Sequence, residues 1–279
     1  MSKIIVLCPA KINLFLNIVG QSGNMHLLNM VNQTVDLYDY ITIETNNTGK
    51  INITCNNDGI PLNQENTCFK AALSMKANFG IKYGFDIHIQ KNIPIGAGLG
   101  GESTDAAGVI LGINEMLKLY IPQKFLFKIG ENIGSDVPFC MVGGTALIEN
   151  TCEITPVPTE FKHFLIVKPN FSIITKAAFA EYDRRLTDYK KFLTFAIGYN
   201  DLECVAPKEI QDIKIFFSDM YEASSNMTGS GSAVVVHFLD EETRLQAYRD
   251  AGKYFQNYYE YYCVNSCNGI QFTKKMHLN

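Results

Sequence analysis

The sequence predicts an α+β protein in two domains, and three observations carry that expectation. Its 279 residues are enough to bury a large core and to divide into two units. Hydrophobic residues make up 47% and charged residues 19%, the balance of a soluble globular enzyme rather than of a disordered chain. Strand-like and helix-like runs occur in both halves, and the stretch Asn150–Pro158, with Pro156 and Pro158, separates them. The expected domains are 1–153 and 154–279.

The elements follow in order from periodicity and punctuation. Lys3–Cys8 and Ile12–Val19 read as strands interrupted by Pro9-Ala10-Lys11. In the second, Ile12, Leu14, Leu16 and Ile18 alternate with Asn13, Phe15, Asn17 and Val19, which predicts two distinct faces. Met30–Leu37, Tyr40–Thr45 and Lys50–Cys55 are further strands. Glu65–Phe79 spaces Phe69, Ala72, Leu73 and Lys76 at helical intervals, and Gly80 stops it. Phe85–Gln90 is a strand, Thr104–Leu117 a helix and Pro122–Ile133 another, ended by Gly134. Thr145–Glu149 closes the first half. Beyond it come strands at Phe164–Lys168 and Ala233–Phe238, with helices at Thr175–Tyr182, Glu209–Tyr221 and Glu241–Gly252. The Tyr-rich end from Tyr254 to Tyr262 suits a packed strand or a helix equally.

Composition excludes several functions. The net charge is −4 with no basic block, so no nucleic-acid partner is expected, and an anionic ligand must be met by local donors. Eight cysteines lie scattered without a CxxC, and the five histidines are dispersed, so no structural metal is expected and the thiols read as reduced and mostly buried. No run approaches the ~20 apolar residues of a membrane helix, and the apolar start before Pro9 is too short for a signal core. A cytoplasmic protein, monomeric or homodimeric, is the expectation.

The most informative segment is Pro94-Ile95-Gly96-Ala97-Gly98-Leu99-Gly100-Gly101-Glu102-Ser103-Thr104, between a strand and a helix. Glycines let a backbone approach an anion without a Cβ in the way, and the amides of a helix start point at it. Ser103 and Thr104 add hydroxyls where a helix leaves donors unpaired. There is no GxxxxGK[ST], and Gly96-x-Gly98-x-Gly100 does not match the dinucleotide GxGxxG spacing. Two other segments stand out. Lys11 between apolar runs is ordinarily a snorkelling lysine, and Asp136 in Gly134-Ser135-Asp136 is ordinarily a helix cap.

Together these segments resemble the GHMP kinase superfamily. Pro94–Gly100 is similar to its PxGxGLGxxS loop, Pro9-Ala10-Lys11-Ile12-Asn13-Leu14 to its opening signature, and Gly134–Phe139 to its G[AS]DVPF segment. Asn200–Glu203 resembles its NDLE segment, usually structural, and Met227–Ala233 its C-terminal glycine loop. The trailing Asp105-Ala106-Ala107 resembles the branch whose acceptor is 4-diphosphocytidyl-2-C-methyl-D-erythritol.

That resemblance implies an N-terminal domain like the second domain of ribosomal protein S5 and a ferredoxin-like C-terminal domain. It implies a kinase that uses ATP and Mg²⁺ on a small-molecule acceptor, with Pro94–Thr104 holding the phosphates. Asp136 would take the proton of the attacking hydroxyl and Lys11 would orient it, with Asn13 hydrogen-bonding the acceptor. His26 would read the cytosine and Phe179 would stack on it. Met25 stands where the branch has a stacking tyrosine, Glu102 where its loop has glycine, and Asn150–Glu153 where it has GxGE. A homoserine or mevalonate kinase is the nearest alternative, and a silent nucleotide-binding paralogue the other. Glu102 must either turn to solvent or ligate the metal, because a bare carboxylate repels a triphosphate.

Overall fold

The computed structural model describes residues 2–23, 25–150, 153–185 and 196–273. Two long antiparallel strands, β1 (Lys3–Ser22) and β2 (Met25–Asn46), form its spine. The first half continues with β3 (Ile51–Cys55), α1 (Thr67–Phe79), β4 (Gly84–Gln90), α2 (Gly101–Met116), α3 (Gln123–Glu131), α4 (Val137–Val142), β5 (Thr145–Asn150) and β6 (Glu153–Pro156). The second holds β7 (His163–Pro169), α5 (Thr175–Arg185), β8 (Tyr199–Asn200), α6 (Lys208–Tyr221), β9 (Ser225–Met227), β10 (Val234–Phe238), α7 (Glu241–Tyr254), β11 (Tyr259–Asn265) and β12 (Gln271–Phe272).

The strand break predicted at Pro9 does not occur. β1 runs through it because the ladder is irregular there: Pro9 faces Tyr38 and Ala10 faces Val35, leaving Asp36 and Leu37 bulged out of β2. A bulge is where a strand tolerates the missing N–H of a proline. For the same reason the two strands predicted at Met30–Leu37 and Tyr40–Thr45 are one.

The simple alternation predicted for Ile12–Val19 also fails. A second register shift follows Asn13, and Leu14 has no partner in the ladder. Ile12, Leu14 and Phe15 therefore share a core with Phe164, Ile166 and Val235 of the second sheet, whereas Leu16 and Ile18 pack into the larger core with the helices. One extra residue moves a strand's side chains to the other face.

The first sheet runs β12–β1–β2–β4–β3, with β5 on β2, β6 on β5 and β8 parallel to β1. The hairpin β5–β6 spans the position where the sequence reading divides the chain, and two short strands of the second half return to β1. The second sheet is antiparallel, β11–β7–β10–β9, with α6 and α7 against it. The Tyr-rich end is thus divided: Tyr254 closes α7, and Tyr259, Tyr261 and Tyr262 lie on the edge strand β11.

α2 begins three residues before the predicted Thr104. Gly100 serves as its N-cap in the left-handed region (φ 70°), so the helix starts directly out of the glycine loop. Of the described cysteines, all free, only Cys8, Cys68 and Cys140 are buried; Cys204 is exposed, so the thiols are less enclosed than expected. No helix of the described residues is long and apolar enough to cross a membrane.

Candidate active site

The glycine loop is held from beneath by its apolar residues. Ala97 and Leu99 are 1% and 2% exposed, so they anchor the loop while Gly96, Gly98 and Gly100 present backbone to the cleft. Two glycines are obligatory for a steric reason. A Cβ on Gly98 would lie 2.0 Å from the Thr228 carbonyl oxygen, and one on Gly100 would lie 2.7 Å from Lys11 Cγ. Lys11 N–H donates to the Leu99 carbonyl (2.9 Å), stitching β1 to the loop. Beyond Gly100 the first-turn amides of α2 receive no side-chain cap and have no acceptor within the helix.

The loop's entrance is fixed by a buried charge cluster that the sequence reading missed. Asp39 is fully buried; its Oδ1 accepts from the N–H groups of Asn92 (2.6 Å) and Ile93 (2.8 Å), while its Oδ2 binds the Lys91 ammonium. Lys91 also donates to Asp105 Oδ2 (2.8 Å), tying the first turns of α2 to the end of β4. Burial raises the Asp105 carboxyl to about 8, offset in part by Lys91 and reinforced by Asp39. Burial alone would lower the Lys91 ammonium, but Asp105 and Asp39 raise it well above its ordinary range. One cation thus serves two enclosed carboxyls, Asp39 and Asp105.

Lys11 and Asp136 are 125 positions apart in sequence and meet in the cleft. Lys11, 4% exposed, places Nζ 3.3 Å from Asp136 Oδ2 and 3.0 Å from Asn13 Oδ1. Asp136 stands at the N-cap position of α4, yet its side chain makes no cap hydrogen bond. It keeps helical dihedrals (φ −84°, ψ −13°), and the buried Val137, Pro138 and Phe139 anchor the turn behind it. The ordinary capping role is therefore not what this carboxylate does.

Asn13 lines the cleft and is tied into its frame. It is fully buried, its Oδ1 accepts from Lys11 Nζ, Thr228 Oγ1 (3.1 Å) and Gly229 N (2.7 Å), and its Nδ2 donates to Asn32 Oδ1 (2.6 Å). At the wall of the cleft it braces Lys11 against the C-terminal glycine loop. Asn200 supports the same loop, donating to the carbonyls of Met227 (2.6 Å) and Gly229 (2.8 Å). Glu203 accepts from Met227 N–H (2.7 Å). Thr104 is not brought to the cleft: helical from Gly101 onward, α2 turns it into the core, fully buried and off the cleft wall.

These pieces enclose a cleft of about 330 Å³, walled by Lys11, Asp136, the loop from Pro94 to Ser103, Gly229 and Ser230. Phe179 also lines it. The His26 ring stacks on Phe179 with centroids 4.6 Å apart and planes at 30°. Met25, 61% exposed at the end of the β1–β2 hairpin, is not brought to the cleft. The neighbouring Asn24, and Thr151 and Cys152 of the Asn150–Glu153 segment, lie outside the described residues. Asp183, four residues after Phe179 on α5, was missed by the sequence reading; its helical spacing from Phe179 was the available signal.

A glycine loop opening a helix, facing a buried lysine paired with a carboxylate, defines a small-molecule phosphotransferase. The comparisons agree. The family described as GHMP kinases N terminal domain matches residues 66–144. A 4-diphosphocytidyl-2-C-methyl-D-erythritol kinase of Clostridium perfringens is 37% identical, covering 93% of this chain and 98% of the relative. A crystal structure of 4-(cytidine 5'-diphospho)-2C-methyl-D-erythritol kinase superimposes with a TM-score of 0.78 at 23% identity, over 95% of this chain and 100% of that one. A homoserine kinase from Cytophaga hutchinsonii reaches 0.74 at 18% identity, over 98% of each chain, so the shared fold does not by itself choose the acceptor. The chain belongs to the GHMP kinases and, within them, to the 4-diphosphocytidyl-2-C-methyl-D-erythritol kinase family.

Proposed function

We propose that the cleft transfers the γ-phosphoryl group of ATP to the 2-hydroxyl of 4-diphosphocytidyl-2-C-methyl-D-erythritol. The observation that carries the chemistry is the Lys11–Asp136 pair beside the glycine loop. Phosphoryl transfer asks a protein chiefly for positioning and charge stabilisation. The amides of Gly101, Glu102 and Ser103 face the phosphates, and Lys11 sets its charge between the loop and the acceptor. Asp136 accepts the proton of the acceptor hydroxyl as the new P–O bond forms and the bond to the β-phosphate oxygen breaks. Asn13, by holding Lys11 and Gly229 together, keeps that geometry while the substrates exchange.

Magnesium, when bound, would supply positive charge for the phosphates and the departing group. The residues fit it. The cleft offers oxygen donors, the ligands magnesium takes, and that ion commonly needs only one or two protein carboxylates beside phosphates. Glu102, exposed on the first turn of α2, lines the cleft beside Ser103, and we assign these two oxygen donors to the metal. Glu102→Gly is then expected to raise the Mg²⁺ concentration for half-maximal activity severalfold at fixed ATP. Superimposable titrations of the two proteins would sink the assignment.

The cytidine end rests on His26 and Phe179. Loss of a stacking ring and a hydrogen-bonding edge is worth ~1–2 kcal/mol, so His26→Ala is expected to raise the KM for the cytidylated acceptor about tenfold. An unchanged KM would remove His26 from base recognition.

The whole reading is tested by ADP release from the purified protein with four acceptors. These are the cytidylated methylerythritol, its uncytidylated parent, homoserine and mevalonate. Turnover with the first alone is expected. Preference for another would transfer the acceptor to that compound, and release with none would leave a nucleotide-binding protein without this activity.

A further inference from the structure

His26 is held from two directions by one face of α5. Phe179 and Asp183 are four residues apart on that helix and so project side by side. The imidazole lies flat on the first and sets Nε2 2.8 Å from Oδ1 of the second. The pair links two parts of the chain 157 positions apart. Glu181, the nearest other acid of α5, is engaged by Arg184 and Arg185, both at 2.7 Å, so Asp183 is the carboxylate that addresses the imidazole.

A carboxylate can only accept, so Nε2 must carry a proton. In the neutral ring the other nitrogen, Nδ1, is then a bare lone pair. That lone pair has a chemical preference among pyrimidines. Cytosine carries an amino group at its 4-position and offers donors; uracil carries a carbonyl there and offers an acceptor. Set against the 4-position, an Nδ1 acceptor attracts the amino group of the first and repels the carbonyl of the second. We propose that Asp183 is a positioning residue that holds His26 in its Nδ1-acceptor tautomer and, through it, selects a cytidine over a uridine nucleotide. This rests on the reading of the cleft as the site of a cytidylated acceptor. The ordinary alternative is a tie between β2 and α5; such a tie is indifferent to tautomer and to the base.

Two measurements test it. Nitrogen-15 NMR of histidine-labelled protein, at about pH 8 where an ordinary imidazole is neutral, reports the tautomer without substrate. A protonated Nε2 and bare Nδ1 at His26 are expected, with Asp183→Ala relaxing to a mixture and Asp183→Glu recovering the wild-type pattern. A proton on Nδ1 in the wild-type protein would overturn the proposal. The second measurement is the ratio of kcat/KM for the cytidylated and uridylated methylerythritol. In Asp183→Ala it is expected to fall about tenfold, on the scale of one well-placed hydrogen bond, with the loss carried in KM. A ratio within about twofold of wild type would leave Asp183 as a tie only. A wild-type protein that phosphorylates neither nucleotide would overturn the reaction reading and the selectivity with it, while the NMR result would still decide the pair.

Discussion

Asp136→Asn is expected to lower turnover by about 100- to 10,000-fold, the range of general-base assistance, while ATP affinity stays nearly unchanged. The substitution keeps shape and removes basicity. The amide oxygen can still accept from the Lys11 ammonium that now lies 3.3 Å from Oδ2, so the buried lysine keeps a partner and the fold should hold. Because the side chain caps no amide, α4 loses no hydrogen bond. Single-turnover kinetics with saturating ATP, beside nucleotide titration and thermal unfolding, separates chemistry from binding and stability. Turnover within tenfold of wild type would remove Asp136 from the proton transfer.

The second large effect concerns the contact between the two glycine loops. Gly98 (φ +76°) and Gly144 (φ +71°) share a left-handed conformation, but their surroundings differ. A Cβ at Gly144 meets nothing within 4 Å, so Gly144→Ala pays only the backbone term of ~1–2 kcal/mol. A Cβ at Gly98 meets the Thr228 carbonyl at 2.0 Å and Gly231 N at 3.2 Å, both backbone atoms that cannot swing aside. Overpacking of that kind adds ~1–3 kcal/mol, and the strain falls on the loop that Asn13 ties to Lys11. Misplacement by about an ångström at a reacting centre is worth ~100-fold, so Gly98→Ala is expected to lose about that much in kcat/KM, against a near-normal Gly144→Ala. Denaturant unfolding and kinetics on both proteins check it. Equal activity in the two would show that the loops do not need their close approach.

Much of the fold was legible because its signals are local. Asn66 caps α1 through its side chain and Gly80 ends it in the left-handed region, as the run up to Gly80 suggested. β4 and the glycine loop stand where strand periodicity and glycine spacing put them. The failures share one cause. Pro9 ended a strand on propensity, and alternation put Ile12 and Leu16 on one face; both rules assume an unbroken ladder, and the β1–β2 ladder is bulged near each, on β2 beside Pro9 and on β1 at Leu14. That Thr228 and Gly229, more than 200 positions away, would hold the Asn13 oxygen was not legible in any local pattern.

By itself the sequence determined the chemistry available: a glycine loop able to hold phosphates, a lysine and an aspartate in recognisable settings, and a histidine and a phenylalanine suited to a base. Those properties depend on backbone freedom and side-chain type within a few residues. Tertiary structure alone decided which groups meet. It brought Lys11 to Asp136, turned Thr104 inward, enclosed Asp105 with Lys91 and Asp39, and set Asp183 against His26. Each of those outcomes depends on where a bulge shifts a register or how a helix docks on a sheet. Such distances are set by the packing of many side chains at once, and no short stretch of sequence contains them.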